Sequence, residues 1–394
     1  MGIAKTIATN LEQSSWIRRM FEEGIRLKAE RGPEHVYDFT LGNPDIEPPP
    51  EVIAVLERIV ARNRPRSHAY MPNAGFPEVR AVIARKLARR TGLAYTADHI
   101  LMTAGAAGAI NVVLKSLLDP GDEVIVLAPY FAEYRFYIEN HGGVMVVVPT
   151  DDAFMPDTRR IRAAITSRTK AILINTPNNP TGAVYGPGVL RSLNELIGEV
   201  NHPITIVSDE PYVALTFDGV EPPETASLIS RSVVTYSWSK ALAIPGERIG
   251  YIAISPLLPE AADLFDACTF ANRVLGFVNA SAIWQLVVAE AGDVRVDATP
   301  YQEKRDFLWD ALTRMGYEIV KPGGAFYLFP KSPLPDDVAF IRLLQKEGIL
   351  AVPGSGFGTP GYFRLSLTVP KEMMERSLPG FERTLHAAEG NGKS

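Results

Sequence analysis

Along the first fifth of the chain the apolar residues keep helical spacing. From Ser14 to Arg31, Trp16, Ile17, Met20, Phe21 and Ile25 recur at intervals that place them on one face, and Gly32-Pro33 supplies a stop. This predicts an amphipathic N-terminal helix. The stretch "LGNPDIEPPPEV" that follows is too rich in Pro, Gly and Asp for regular structure and reads as a hinge, with a domain boundary near Pro50. Helix-period stretches such as "GFPEVRAVIARKLARRTG" then alternate with short β-branched runs, "EVIVLAP", "KAILINTP", "ITIVSDE", "SVVTYS" and "RIGYIAIS". Such runs, bounded by turn residues and separated by helices, predict buried parallel strands in a doubly wound α/β sheet. After about residue 285 a long helical segment leads into "GGAFYLFP", "GILAVPGSGFG" and "YFRLSL", which predict a smaller α+β domain around a mixed sheet. The expected division is an arm with part of the small domain over 1–49, a large domain over 50–285 and a small domain over 286–394.

Composition narrows the function without naming it. A chain of 394 residues with 46% hydrophobic residues has enough apolar surface for one large core and a smaller one. A formal net charge of -5 with no basic block argues against a nucleic-acid partner, and small-molecule substrates fit better. The lone Cys268 cannot form an intramolecular disulfide, and no Cys/His cluster has metal-ligand spacing, so no metal is expected and a reducing cytoplasm is the default. The start "MGIAKTIATNLEQSSW" lacks the features of a signal peptide, and its loose match to a myristoylation pattern is set aside; no apolar run is long enough to span a bilayer.

In an open parallel sheet, ligands bind beyond the carboxyl ends of the strands. "KAILINTPNNPTG" delivers Asn175 through Gly182 there, "ITIVSDEPY" delivers Asp209 and Tyr212, and "SVVTYSWSK" delivers Ser237, Ser239 and Lys240. "HILMTAGAAGAINVVL" ends in a small-residue turn that opens a helix, where the amides of Ala106 and Ala107 and the nearby Arg248 suit a phosphate. A lysine with a lowered pKa forms Schiff bases, and an aspartate holds a pyridinium nitrogen protonated. Phosphate, aldehyde and pyridinium together specify pyridoxal 5'-phosphate.

With these residues in place, the chain resembles the class I/II aminotransferases of the aspartate aminotransferase superfamily, the fold type I pyridoxal-phosphate enzymes, over nearly its full length. The resemblance is carried by "GNPD" at 42 to 45, "YMPNAGFPEVR" at 70 to 80, "TAGAAGAI" at 103 to 110, "PNNPTG" at 177 to 182, "SDEPY" at 208 to 212, "SWSKALAIPGERIG" at 237 to 250 and "FRLSL" at 363 to 367. It implies that Lys240 is the Schiff-base and proton-shuttling lysine, that Asp209 pairs with the ring nitrogen, and that Tyr212 and Asn179 bond the phenolic oxygen. It further implies that Ser237, Ser239, Arg248, Ala106 and Ala107 hold the phosphate and that the Tyr130 ring stacks on the cofactor. Arg364 would bind the substrate α-carboxylate with the Gly42 loop closing over it, and Tyr70 would reach the neighbouring active site of a homodimer. The implied reaction moves the amino group of an L-amino acid to a 2-oxo acid, with an aspartate/2-oxoglutarate-like or an aromatic donor.

The chain departs from the family pattern in two places: the "GAAG" turn lacks the usual hydroxyl, and Trp238 is larger than the residue usually found after the loop serine. β-Lyases and aminocyclopropane-carboxylate-synthase-like enzymes share these motifs, so reaction type stays open. A nicotinamide dehydrogenase would need a G-x-G-x-x-G turn that "GAAGA" does not supply, and a sensor fused to a DNA-binding module would need room before residue 40. Arg18, Arg66, Arg135 and Arg273 are all possible second cations for a side-chain carboxylate, Arg66 foremost. The histidines, His68, His99 and His141 among them, have no partner spacing for a triad or a metal.

Overall fold

The structure is a computed structural model that describes residues 2–12, 16–65 and 67–391. Twelve strands are present among these: β1 (Tyr37–Asp38), β2 (Ile100–Thr103), β3 (Glu123–Ala128), β4 (Val144–Pro149), β5 (Thr169–Asn175), β6 (Thr205–Asp209), β7 (Ser232–Ser237), β8 (Gly250–Ile254), β9 (Tyr327–Leu328), β10 (Ile349–Leu350), β11 (Val352–Pro353) and β12 (Phe363–Ser366). The first five helices are α1 (Lys5–Glu12), α2 (Trp16–Arg31), α3 (Pro50–Arg62), α4 (Pro77–Thr91) and α5 (Gly105–Leu117). Local chemistry sets their limits. α3 and α4 begin at proline, whose missing N–H costs nothing at a first helical position, and end at left-handed residues, Asn63 and Gly92.

Strands β2 to β8 form one seven-stranded sheet in the order β2-β8-β7-β6-β5-β3-β4. Every residue of β2, β3 and β8 is buried, as the unbroken apolar runs predict for a sheet covered on both faces. One expectation fails: β8, the "RIGYIAIS" run, pairs antiparallel with both β7 and β2. The connection from β7 to β8 spans only residues 238–249, and its one short helix and single 3-10 turn return the chain beside β7 instead of crossing the sheet. Strand β4 went unread because it lies at the sheet's edge and only one of its six residues is buried.

The C-terminal part also differs in detail. Instead of one mixed sheet it has a three-stranded antiparallel sheet, β11-β12-β9, and a separate parallel pair in which β1 joins β10. Its apolar cluster gathers Leu308, Phe340, Phe363 and Phe381 with Phe39 from the N-terminal segment and Tyr212, Leu215 and Phe217 from the turn after β6. Each large side chain buried there contributes about 1.5–3 kcal/mol. The N-terminal helix forms over Trp16–Arg31, but its buried contact runs through Leu27 against Val36 and Leu350, and Ile25 is exposed. The side chains of Trp16, Ile17, Met20 and Phe21, and that of Arg18, lie outside the described residues, as does Arg66.

Candidate active site

The carboxyl ends of β2, β5, β6 and β7 open on one cavity. Its wall carries Ala106 and Ala107 from α5, Asn175 and Asn179, Asp209 and Tyr212, and Ser237, Ser239, Lys240 and Arg248. The alternation of a strand selects these side chains. Asp209 and Ser237 point into the cavity, while their chain neighbours Glu210 and Tyr236 line cavities on the other face of the sheet.

Lys240 projects from the short helix Trp238–Ala241, and its Nζ donates to the Gly42 carbonyl at 2.7 Å and lies 5.2 Å from the centre of the Phe326 ring. Burial, followed by the positive charges of Arg248 and Arg364, pushes its pKa down to about 8. Asp209 accepts hydrogen bonds from the Tyr134 hydroxyl at 2.6 Å and from Thr235 Oγ1 at 3.2 Å. Burial pushes its pKa up to about 6 against the pull of those two donors. The backbone around it is tied down as well. Asn175 Nδ2 donates to the Asp209 carbonyl at 2.8 Å, and the Asn179 amide donates to Asn175 Oδ1 at 2.7 Å.

At the other end of the cavity the donors suit an anion. Ser237 and Ser239 hydroxyls lie 2.7 Å apart, and Arg248 Nη1 reaches Ser239 Oγ at 3.5 Å. Arg248 itself has a left-handed φ of 50°, an uncommon conformation for a side-chain-bearing residue and one that occurs at functional turns. Gly105, with φ of 76°, opens α5 beside it, and a Cβ there would stand 2.8 Å from Arg248 Nη2. The glycine lets the helix N-terminus and the guanidinium converge. Two hydroxyls, a guanidinium and free helix amides are a phosphate-binding set, and a buried carboxyl and a desolvated amine complete it for a pyridine aldehyde phosphate. The residues present fit the group.

Arg364 sits behind the wall, fully enclosed. Its Nη1 donates to Asn179 Oδ1 at 3.0 Å and its Nη2 to the Thr40 carbonyl at 2.6 Å, its guanidinium lies 4.5 Å from the Tyr327 ring centre and 4.9 Å from that of Phe357, and Nε has no partner among the described residues. Tyr212 and Tyr327 hydroxyls are 3.2 Å apart. Gly42 is packed so closely on Tyr327 that any Cβ there would collide with the phenol.

Besides Gly42 and Arg364, two more expected residues lie outside the wall. The Tyr130 ring lies against Gly358 and is not part of the cavity wall, where the aromatic residues are Phe131, Tyr134, Tyr137 and Tyr212. Tyr70 is 92% exposed and outside the wall of its own chain. Trp238 turns away from the cavity and packs edge-on against Tyr236 and Tyr251, so its size does not crowd the phosphate end. Tyr134, Thr40 and Tyr327 were not singled out from sequence. Tyr134 had a signal, since it belongs to the aromatic-rich stretch "PYFAEYRFY".

The family model described as aminotransferase class I and II matches residues 34–379. The chain belongs to that family. An aspartate/prephenate aminotransferase of Thermus thermophilus is 36% identical over 89% of this chain and 91% of its own length, and an aspartate aminotransferase of Geobacillus stearothermophilus is 31% identical over 98% and 100%. Among solved structures, an amino transferase from Eubacterium rectale superposes with a TM-score of 0.94 at 36% identity, covering 98% of this chain and 99% of that one. Aspartate aminotransferase from Thermus thermophilus with maleate superposes with a TM-score of 0.86 at 32% identity, covering 98% and 100%. This aminotransferase is an enzyme of a family whose members use pyridoxal phosphate.

Because Tyr134 stabilises the ionised form of Asp209, Tyr134→Phe is expected to raise the Asp209 pKa above about 6. The acid limb of the enzyme's pH–activity profile then moves to higher pH. An unshifted limb would separate Tyr134 from the titration of Asp209.

Proposed function

We propose that this aminotransferase holds pyridoxal 5'-phosphate at Lys240 and moves an amino group from a dicarboxylic L-amino acid, aspartate foremost, to a 2-oxo acid. The observation that carries the reading is the desolvated Lys240 amine, poised near 8, in one cavity with Asp209. Bound there, the cofactor supplies an aldehyde to receive the amino group and an electron-withdrawing ring that acidifies the substrate's α-carbon. The protein's part is positional and protolytic. Ser237, Ser239, Arg248 and the amides of Ala106 and Ala107 hold the phosphate, Asp209 keeps the ring nitrogen protonated, and Asn179 and Tyr212 donate to the phenolic oxygen. Lys240, with its pKa pushed down to about 8, would take the proton from the substrate's α-carbon and hold it on Nζ for return. The names of the Thermus and Geobacillus relatives favour aspartate as donor.

Arg364 would take the α-carboxylate as a charge-assisted pair. Its bond to Asn179 of the cavity wall and its orphaned Nε support this, since a substrate oxygen satisfies a donor that has no partner among the described residues. Arg364→Ala is expected to lower kcat/KM by about 100-fold or more, mainly through KM. An unchanged KM for every substrate would remove the residue from this role.

A homodimer in the cytoplasm belongs to the same reading. Tyr70, Phe270 and Val274 are exposed, and the segment carrying Tyr70 is tied to the helix Ala261–Val274 by Asn272 Nδ2 donating to the Asn73 carbonyl. Exposed aromatic and aliphatic groups thus sit on two linked segments, as an interface requires. Sedimentation equilibrium tests it, and a monomer at assay concentration would reject it. The reaction is tested by recording the visible spectrum of the cofactor-loaded enzyme. Aspartate alone should bleach the band and a 2-oxo acid should restore it; release of ammonia without recovery would indicate a lyase instead.

A further inference from the structure

On the face of the sheet away from Lys240, a second cavity of about 440 Å³ opens between α4 and the 292–295 segment. Past Arg90 and Arg295 it continues into a recess of about 390 Å³ bounded by residues 219–224. Both volumes are within the range of small-molecule sites. The floor is aromatic: Tyr236 and Tyr251 stack at 4.9 Å and 27°, and Trp238 stands edge-on to both. The two ends differ in charge. Lys86, Arg90 and Arg295 outnumber Asp293 in the first cavity, whereas the recess adds Glu210, Glu221 and Glu224.

Part of this charge is already spent internally, since Lys86 pairs with Asp293 and Arg90 with Glu224. Arg295 and Glu221 make no ion pair among the described residues, and both are exposed. An aromatic floor on one side of a free cation at the junction, with a free carboxylate in the recess on its other side, matches a zwitterion with a flat apolar side chain. Polyanions are disfavoured by the acidic recess and simple cations by the basic end. We propose that this groove is a second binding site, distinct from the cavity of Lys240, for a free aromatic amino acid. The carboxylate lies toward Arg295, the ammonium toward Glu221, and the ring on the Tyr236–Trp238–Tyr251 floor. Tyr236 and Trp238 flank Ser237 in the chain and Glu210 follows Asp209, so an occupant there presses on the backbone that positions both site residues.

The test is equilibrium dialysis of the holoenzyme against radiolabelled α-methyl-L-phenylalanine, which has no α-hydrogen and is not turned over. The wild type should bind at least one equivalent per chain, and Arg295→Glu and Glu221→Lys should each lose one equivalent while retaining transaminase turnover. A single equivalent that survives both groove variants and disappears in Arg364→Ala overturns the second site and leaves the aminotransferase reading intact. A single equivalent lost in the groove variants but retained in Arg364→Ala supports the groove and is the result a Lys240 site selective for dicarboxylates gives. No binding at all overturns the proposal.

Discussion

Lys240→Ala is expected to abolish transamination, lowering turnover by at least about 10⁴-fold, because in the proposed reaction one side chain is both the attachment point and the proton carrier. The fold should persist, and the cofactor-free protein offers an independent check. Burial holds the folded-state pKa of Lys240 near 8, below its ordinary 10.5. A lysine whose pKa is depressed by folding destabilises the protein wherever the unfolded chain would carry it charged. That penalty is complete below about pH 8 and fades as the pH rises from 8 toward 10.5. Lys240→Met in the cofactor-free protein should therefore melt higher than the wild type at neutral pH, by the equivalent of about 3 kcal/mol, with the gain vanishing in alkaline buffer. Thermal melts across pH measure it, and a variant less stable than wild type at pH 7 would show that the amine is better solvated than its surroundings indicate.

Asp209→Ala is expected to reduce kcat by about 10³-fold, the scale seen when one preorganised electrostatic partner is removed from a closed site. Asp209→Asn should fare little better, since it keeps the shape but loses the charge. Cofactor affinity provides the second readout. The phosphate set of Ser237, Ser239 and Arg248 does not involve Asp209, so binding should weaken much less than turnover. Equal losses in both would mean that the aspartate anchors the cofactor and does not tune it.

Much of the large sheet was legible because its strands are short β-branched runs with glycine, proline or asparagine at their ends. The edge strand β4 and the reversal of β8 were not, and for different reasons. β4 has one fully buried residue and resembles an exposed segment, while the direction of β8 depends on how far 12 intervening residues can travel, which periodicity does not report. The residues at strand ends were found by position, and ten of them, from Ala106 to Arg248, share one cavity wall. Thr40, Tyr134 and Tyr327 escaped because their parts are set by contacts between distant segments, such as the Thr40 carbonyl meeting Arg364 across 324 positions of chain. The two separate small sheets were hidden for the same reason, as β1 pairs with a strand more than 300 residues away.

The reversed strand has a consequence for how the enzyme tolerates change. Because β8 runs against its neighbours, the excursion from Ser237 to Gly250 leaves and re-enters the sheet at the same rim, with Ser237 registered directly opposite Gly250. Lys240 and Arg248 ride on a loop staked at both feet. Lengthening it by even one residue changes the spacing between the amine and the guanidinium, with no slack elsewhere to absorb the difference. Insertions between α4 and β2, at the opposite rim, enter a connection that touches neither group. Among descendants of this chain, length variation should accumulate there and be absent between Ser237 and Gly250.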